Sequence, residues 1–291
     1  MLGTMYGYPH SIVKANAISL ASSLKRRPEP VGGAEIPAFV HSQWSRGYYH
    51  WITESLPRAI AVESEAPEAT IHLPRTYNSF HIESLKLLGI KFTHFPTHNI
   101  STDQAFITSC PKHYGTTASD LILDMSRRLR GNTRSTASFG RRLYISRGDS
   151  RGRKISNETE VITALKAFGF EVFYPENHSF EDQVSIFGHA DFIVGNHGAG
   201  LTNMVFMEEG GSVIELLPFR NGVFDIRPNT WSMKHDDCYV NLAKTMNHQY
   251  GYQQCPHDKN WHERTSLANI EVDCAQLSDQ VQSFIDRSAD Q

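Results

Sequence analysis

Three stretches of this chain carry residue types and spacings that could do chemistry. The first is Gly195-Asn196-His197-Gly198-Ala199-Gly200-Leu201-Thr202-Asn203, set between an apolar strand-like run, Phe192-Ile193-Val194, and a helix-like run, Met204-Val205-Phe206-Met207. A glycine-rich turn between a strand and a helix lets backbone N–H groups come close to an anion, and the helix start adds a favourable dipole. Gly198 and Gly200 would permit that approach, and His197 could donate a hydrogen bond to a phosphate oxygen. Read as a dinucleotide fingerprint, the turn has only two of the three glycines and follows the wrong strand of its unit. A tight turn with a purely structural histidine is the plain alternative. The second stretch is Ser146 to Lys154, with Arg147, Arg151, Arg153 and Lys154 among two glycines. Guanidinium forks fit phosphate oxygens and can stabilise a leaving diphosphate without a metal; an ordinary charged surface loop is the alternative. Glu215, near the end of the next strand-like run, could accept both hydroxyls of a ribose or simply form a salt bridge. The third stretch places His50, Glu54 and Arg58 at i, i+4 and i+8, on one face of an expected helix and opposite its apolar stripe. Trp44, Tyr48, Tyr49 and Trp51 surround them. Flat rings stack on sugar C–H faces, and His50 or Glu54 could act as general base on an acceptor hydroxyl. A solvated face with i,i+4 ion pairs is the bland version.

The elements that must position these groups alternate. Arg142–Ser146, Phe170–Tyr174, Asp191–Val194 and Ser212–Leu217 predict strands. Between them come a helix from Asn157 to Phe168, a helix capped by Ser179, and a third after the glycine turn. Asn157 and Glu160 have capping-box spacing. Such alternation implies right-handed crossovers and a parallel sheet, with ligands at the carboxyl ends of the strands. The N-terminal half is a weaker version: strands at Ile36–Val40, Thr70–Leu73, Phe92–Phe95 and Ala105–Thr108, with helices at Gly47–Glu63, Ser84–Leu88 and Leu121–Leu129. Residues 131–140, rich in Ser and Thr, predict a linker. The expected architecture is therefore two α/β domains, 1–135 and 136–291, with a cleft between them. Residues 220–270 show little periodicity. Leu277, Val281, Phe284 and Ile285 predict a final amphipathic helix over about 276–287, expected to pack back on the N-terminal domain.

Bulk properties narrow the class. With 291 residues and 40% hydrophobic content, the chain can build two modest cores and is not disordered. A net charge of -3 gives no electrostatic case for nucleic acid. Cys110, Cys238, Cys255 and Cys274 show no CxxC spacing, so zinc is not expected, and one disulfide among the last three stays open. No run reaches the length of a membrane helix, and residues 1–24 lack a signal-peptide pattern. The expectation is a cytoplasmic protein, with peripheral membrane association allowed and oligomeric state open. No HExxH, Walker, kinase or serine-hydrolase motif occurs, no Asp-x-Asp occurs, and Asp236-Asp237 is adjacent rather than alternating.

In order along the chain, HWITESLPRAI (50–60), LYISR (143–147), Arg153, Asn157-Glu158, GFEV (169–172), SFEDQVSIFGHAD (179–191), GNHGAGLTNMVFM (195–207) and VIELLP (213–218) resemble family 61 glycosyltransferases. That family includes plant β-1,2-xylosyltransferases, secretory-pathway O-GlcNAc transferases and bacterial capsular-polysaccharide enzymes. The resemblance implies a GT-B-like fold, two Rossmann-like domains facing across a cleft. It also implies an inverting transferase that uses a nucleotide-sugar, commonly a UDP-sugar, without an essential metal or other cofactor. It assigns Arg147, Arg153, His197 and Asn203 to the donor diphosphate and Glu215 to the nucleoside end; Asn157, Gly198 and Gly200 join the donor side. His50 and Glu54 become the catalytic candidates, and Tyr49, Trp51 and Arg58 the acceptor side. The partners implied are a nucleotide-sugar and a glycan acceptor, with surface polysaccharide favoured; a secretory lumen would follow if an anchor lay outside this chain. An epimerase or dehydrogenase acting on nucleotide-sugars would need a first-strand GxGxxG and a Tyr-x-x-x-Lys pair. A non-catalytic binding module is the other alternative.

Overall fold

The computed structural model describes residues 29–30, 36–42, 44–94, 100–102, 104–108, 119–148, 152–219, 238–257 and 269–289. Expectations that fall on residues 1–24, Phe95, Cys110, Asp149-Ser150-Arg151 and Asp236-Asp237 lie outside the described residues. The chain divides into two compact units, Met1–His113 and Tyr114–Gln291.

The first unit runs β1 (Glu29–Pro30), β2 (Ile36–Phe39), helix α1, β3 (Ala69–Leu73), α2 (Ser79–Leu88), β4 (Phe92–His94), β5 (Ile100–Ser101) and β6 (Phe106–Ile107). Its main sheet has the order β4-β3-β2-β6, every pair parallel, while β1 pairs with β5 separately. Along this sheet the chain reverses direction at β2, so the crevice beyond the ends of β2 and β6 is its switch point. Helix α1 leaves from the carboxyl end of β2. It is α-helical over Tyr48–His50, π-helical over Trp51–Ser55 and α-helical again over Leu56–Glu65. Pro57 explains the interruption. It has no N–H for the Thr53 carbonyl, and its ring would press on that carbonyl in a regular helix. One π turn, in which the Leu56 N–H reaches the Trp51 carbonyl, absorbs the misfit.

The second unit runs α3 (Ser119–Asn132), β7 (Arg142–Ile145), α4 (Glu158–Lys166), β8 (Phe170–Phe173), α5 (Phe180–His189) and β9 (Phe192–Asn196). A 3-10 helix over Ala199–Phe206 follows, then β10 (Ser212–Phe219), α6 (Cys238–Thr245), β11 (Gln249–Pro256) and α7 (Cys274–Ala289). Its sheet is wholly parallel, ordered β8-β7-β9-β10-β11. Numbered within the unit this is 2-1-3-4-5, which puts the switch point between the carboxyl ends of β7 and β9. One sheet face buries Tyr144, Phe192, Val194, Ile214 and Leu216 against Val161 and Leu165 of α4 and Leu277, Val281 and Phe284 of α7. The stripe of α7, expected to serve the N-terminal domain, is thus spent in the core of its own unit.

Three further readings of the sequence differ in the structure, and one that it left open is answered. The Ser/Thr-rich stretch 131–140 lies inside the second unit rather than between units, because it docks on α5: Ser135 Oγ donates to Asp182 (2.5 Å), and Ser185 Oγ donates to the Ser135 and Ala137 carbonyls (both 3.1 Å). The helix after the glycine turn is 3-10 rather than α, with Leu201 to Phe206 all buried. The Val205 carbonyl accepts from Ser126 Oγ (2.5 Å), and the Met204 carbonyl, which already takes the Met207 N–H (3.1 Å), also accepts from His248 Nε2 (2.9 Å). Asn157 stands at the N-cap of α4 without a side-chain cap bond, whereas the Ser179–Asp182 capping box forms. Cys238, Cys255 and Cys274 are free thiols.

Candidate functional site

In the second unit the two loops at the switch point converge. The loop after β7 is tethered at its root: the Tyr144 and Ser146 hydroxyls both donate to Glu158 Oε1 (2.8 Å each), and the Ser146 N–H donates to the Phe173 carbonyl (2.9 Å). Gly148 takes a φ of 48°, a left-handed turn that a side chain would strain. Arg153, although not glycine, also has a left-handed backbone (φ 54°). That conformation costs about 1–2 kcal/mol, and it is held by Asn196 Nδ2, which donates to the Arg153 carbonyl (2.5 Å). The Arg153 Nη1 in turn donates to the His197 carbonyl (3.2 Å), while its Nε is buried without a hydrogen-bond partner. Asn196 Oδ1 is likewise buried and unmet. Arg147 lies against Gly198: any Cβ there would collide with its Nη1. Burial, and secondarily the nearby Arg153 charge, push the Arg147 guanidinium below its ordinary value. Two guanidiniums, buried polar atoms without partners and a strained backbone thus meet at one switch point, a donor set whose chemistry suits a compact anion.

His197 stands at the rim, its side chain 18% exposed, with Nδ1 bonded to Glu215 Oε1. Glu215 is wholly buried on β10, and its Oε2 accepts from the Tyr250 hydroxyl. Burial, then the Glu215 charge, drive the Tyr250 phenol far above its usual range, so it remains the donor. The His197 ring lies edge-to-face with Tyr239 (5.4 Å), whose hydroxyl donates to the Gly198 carbonyl (2.7 Å).

The structure therefore gathers Arg147, Arg153, His197, Gly198 and Glu215, and it gives the other donor-side candidates different surroundings. Asn157 is engaged on Val272, its Nδ2 donating to that carbonyl (2.8 Å) and its Oδ1 accepting the N–H (3.0 Å). Asn203 is buried and donates to Gln183 Oε1 (2.9 Å). Gly200 serves packing, since a Cβ would come within 2.8 Å of Ile145 Cγ2. Glu215 has both oxygens engaged inside the protein, so the geometry expected for a ribose acceptor is not present.

In the first unit His50 Nδ1 and Glu54 Oε1 are 2.7 Å apart, at 20% and 21% side-chain exposure. Trp44, 41% exposed, stacks on the His50 ring (6.0 Å, 29°), and Tyr49 meets it edge-on (5.3 Å). Two acceptor-side expectations are corrected here. Trp51 is a core residue, 0% exposed, with Nε1 donating to Ser84 Oγ (2.8 Å). Arg58 is buried, not on the His50–Glu54 surface; its Nε donates to the Glu54 carbonyl (2.8 Å) and its Nη2 to Ser55 Oγ (3.3 Å). The π turn and Pro57 rotate it inward from the face that plain α spacing would give.

Tyr239 and Tyr250 were not legible as site residues. Both lie in the stretch without periodicity; Tyr250 belongs to a mostly polar edge strand, QYGYQQCP, which hides the alternation of a buried one. Among the described residues no group of three His, Cys, Asp or Glu side chains could hold a metal ion, and no helix is long and apolar enough to cross a membrane.

A family model described as Glycosyltransferase 61 matches residues 48–214, more than half of the chain, from the start of α1 through the glycine turn into β10. The chain belongs to glycosyltransferase family 61. As a member of that family it is similar over 97 residues, at 32% identity, to the EGF domain-specific O-linked N-acetylglucosamine transferase of Rattus norvegicus. That match takes in 32% of this chain and 16% of the rat protein. The frog (Xenopus laevis) protein of the same name is 31% identical over 120 residues, 38% of this chain and 20% of its own length. The alpha-1,3-arabinosyltransferase XAT2 of Oryza sativa subsp. japonica is 36% identical over 83 residues, 27% and 14% of the two lengths. The matched parts thus span a small share of these relatives.

Proposed function

We propose that this glycosyltransferase moves a sugar from a UDP-sugar to a glycan hydroxyl with inversion at the anomeric carbon. The observation that carries the reading is the meeting of Arg147, Arg153 and His197-Gly198 at the switch point of the second unit. Two guanidinium charges match the two negative charges of a nucleotide-sugar diphosphate, which supports transfer without an essential metal or other cofactor. On the acceptor side Glu54 orients His50 through Nδ1, so Nε2 takes the proton of the attacking hydroxyl. The new bond forms from that oxygen to the anomeric carbon as the bond to the diphosphate breaks, and the arginines receive the charge that leaves. A single displacement inverts the carbon. In this reading the fold is of the GT-B type, with one Rossmann-like unit serving the acceptor and the other the donor. The exposed Trp44 beside His50 favours a sugar ring as acceptor, and surface polysaccharide is the first class to try.

The test is a panel of nucleotide-sugars incubated with the purified protein, with release of UDP and transfer to oligosaccharides followed by mass spectrometry. One UDP-sugar should be hydrolysed slowly alone and faster with acceptor, giving an inverted linkage. Retention of anomeric configuration, or preference for a non-uridine donor, would refute the corresponding part.

A further inference from the structure

Glu215 is an unexpected place for a charge. It sits in the middle of β10, flanked in register by Gly195 of β9 and Tyr252 of β11, and it is wholly buried. A buried carboxylate is costly unless both oxygens are met. Here they are, by groups on the same sheet face of the neighbouring strands. Tyr250 is level with Val213, two residues before Glu215, and His197 lies two residues beyond Gly195, so the pleat puts all three on one side. Tyr250, Glu215 and His197 form a chain of hydrogen bonds running from the edge strand to the rim of that donor set.

The chain fixes how His197 can act. Glu215 accepts at Nδ1 and the Tyr250 hydroxyl already serves the other carboxylate oxygen, so the imidazole proton belongs on Nδ1. A neutral ring then has a lone pair at Nε2, where among the described residues no partner meets it. That lone pair repels a phosphate oxygen; a second proton turns the same atom into a charge-assisted donor. The charged groups around the ring are opposed. Glu215 meets the ring at Nδ1, Arg153 donates to the His197 carbonyl, Arg147 lies against Gly198, and the phenols of Tyr250 and Tyr239 are neutral donors. A bound diphosphate screens both arginines and adds its own negative charge at Nε2.

We propose that the buried Tyr250–Glu215 pair is a positioning device that makes His197 take up a proton when the donor diphosphate binds, so that nucleotide affinity is coupled to pH through this one ring. The inference rests on the diphosphate reading above and extends it to two residues, Glu215 and Tyr250, that lie beyond the family-matched segment.

The experiment is calorimetric titration of the full chain with UDP at pH 8, where the terminal phosphate is already ionised, in two buffers of different ionisation enthalpy. The wild type should take up a substantial part of one proton per UDP, up to about one, and its affinity should fall by up to about tenfold per pH unit above neutrality. His197→Gln should still bind, several-fold more weakly, with proton uptake lost and a flat pH profile. Glu215→Gln, which keeps the shape, should also lose the uptake; Tyr250→Phe should reduce it while leaving the unliganded Tm within a few degrees. Uptake unchanged in His197→Gln, or wild-type binding with none, overturns the inference and leaves the diphosphate reading standing. No UDP binding by the wild type overturns the reading and the inference together.

Discussion

At the scale of single residues, the His50–Glu54 pair and the Arg147–Gly198 contact make separable predictions. If His50 is the base, His50→Ala should lower kcat by about 100-fold or more while UDP affinity is unchanged. Glu54→Gln should lower it less, because the ring loses orientation but keeps its nitrogen. Steady-state kinetics beside UDP titration checks both; an equal loss of binding would move the pair to the donor side. Gly198→Ala bears on the other unit. The backbone there is extended (φ 163°), so alanine is conformationally allowed, and its cost falls on the Arg147 guanidinium that its methyl displaces. UDP affinity should drop by about tenfold, close to 1.4 kcal/mol, with the unfolding midpoint nearly unmoved. A large fall in stability with intact affinity would show that the glycine serves folding instead.

At the scale of elements, the π turn of α1 deserves a direct test. Pro57→Ala removes its cause and lets the helix run regularly, which would rotate Tyr48–Glu54 by about 100° against Leu56–Glu65. Transfer should fall at least tenfold while the urea midpoint stays or rises; unchanged turnover would mean the π turn does not set the site. The same helix shows what sequence could and could not tell. Its apolar residues Ile52, Leu56, Ala59 and Val62 were legible and are buried, and so was the His50–Glu54 spacing. Arg58 was misplaced because regular 3.6-residue periodicity was carried through a proline, and Trp51 because an aromatic beside the His50–Glu54 pair in sequence is spent in the core. In the second unit four strands announced themselves through β-branched and aromatic runs, and their loops brought Arg147, Arg153 and His197 to one end. The fifth strand did not, since an edge strand rich in Gln and Tyr has no apolar run to announce it. The role of Glu215 was hidden for the same reason: its second partner sits on that strand. Asn157 and Asn203 have the right residue types near the right loops, but only tertiary contacts show that Val272 and Gln183 hold them.

At the scale of the whole molecule, burial of neutral histidines predicts acid sensitivity. Burial, then the charge of Arg58, lowers His41 from 6.5 to about 4, and burial lowers His81 and His248 as well. The unfolded chain therefore binds protons that the folded one refuses. Stability is fully present above about 6.5 and is lost as pH falls toward about 4. Urea midpoints across that range should decline, and less steeply in His41→Asn; a flat profile would refute the assignment. Ligand linkage supplies the complementary measurement. Saturating UDP should raise Tm, an added stability of about 2.7 kcal/mol at a hundred times Kd. The rise should persist in EDTA; its loss on chelation would refute metal-independent donor binding.

The seating of α7 also sets a clock on synthesis. Leu277, Val281 and Phe284 close the sheet face lined by Tyr144, Val194 and Leu216. Those strand residues leave the ribosome long before Phe284 does. At ordinary translation speeds the interval is on the order of several seconds. During it the sheet still awaits β11, its apolar face is covered only in part by Val161 and Leu165 of α4, and parallel pairing with crossovers is itself slow to consolidate. Holding chaperones or slow, cool expression would protect the nascent chain in that interval. Recombinant yield should then depend on how soon a single helix arrives as well as on how stable the finished protein is.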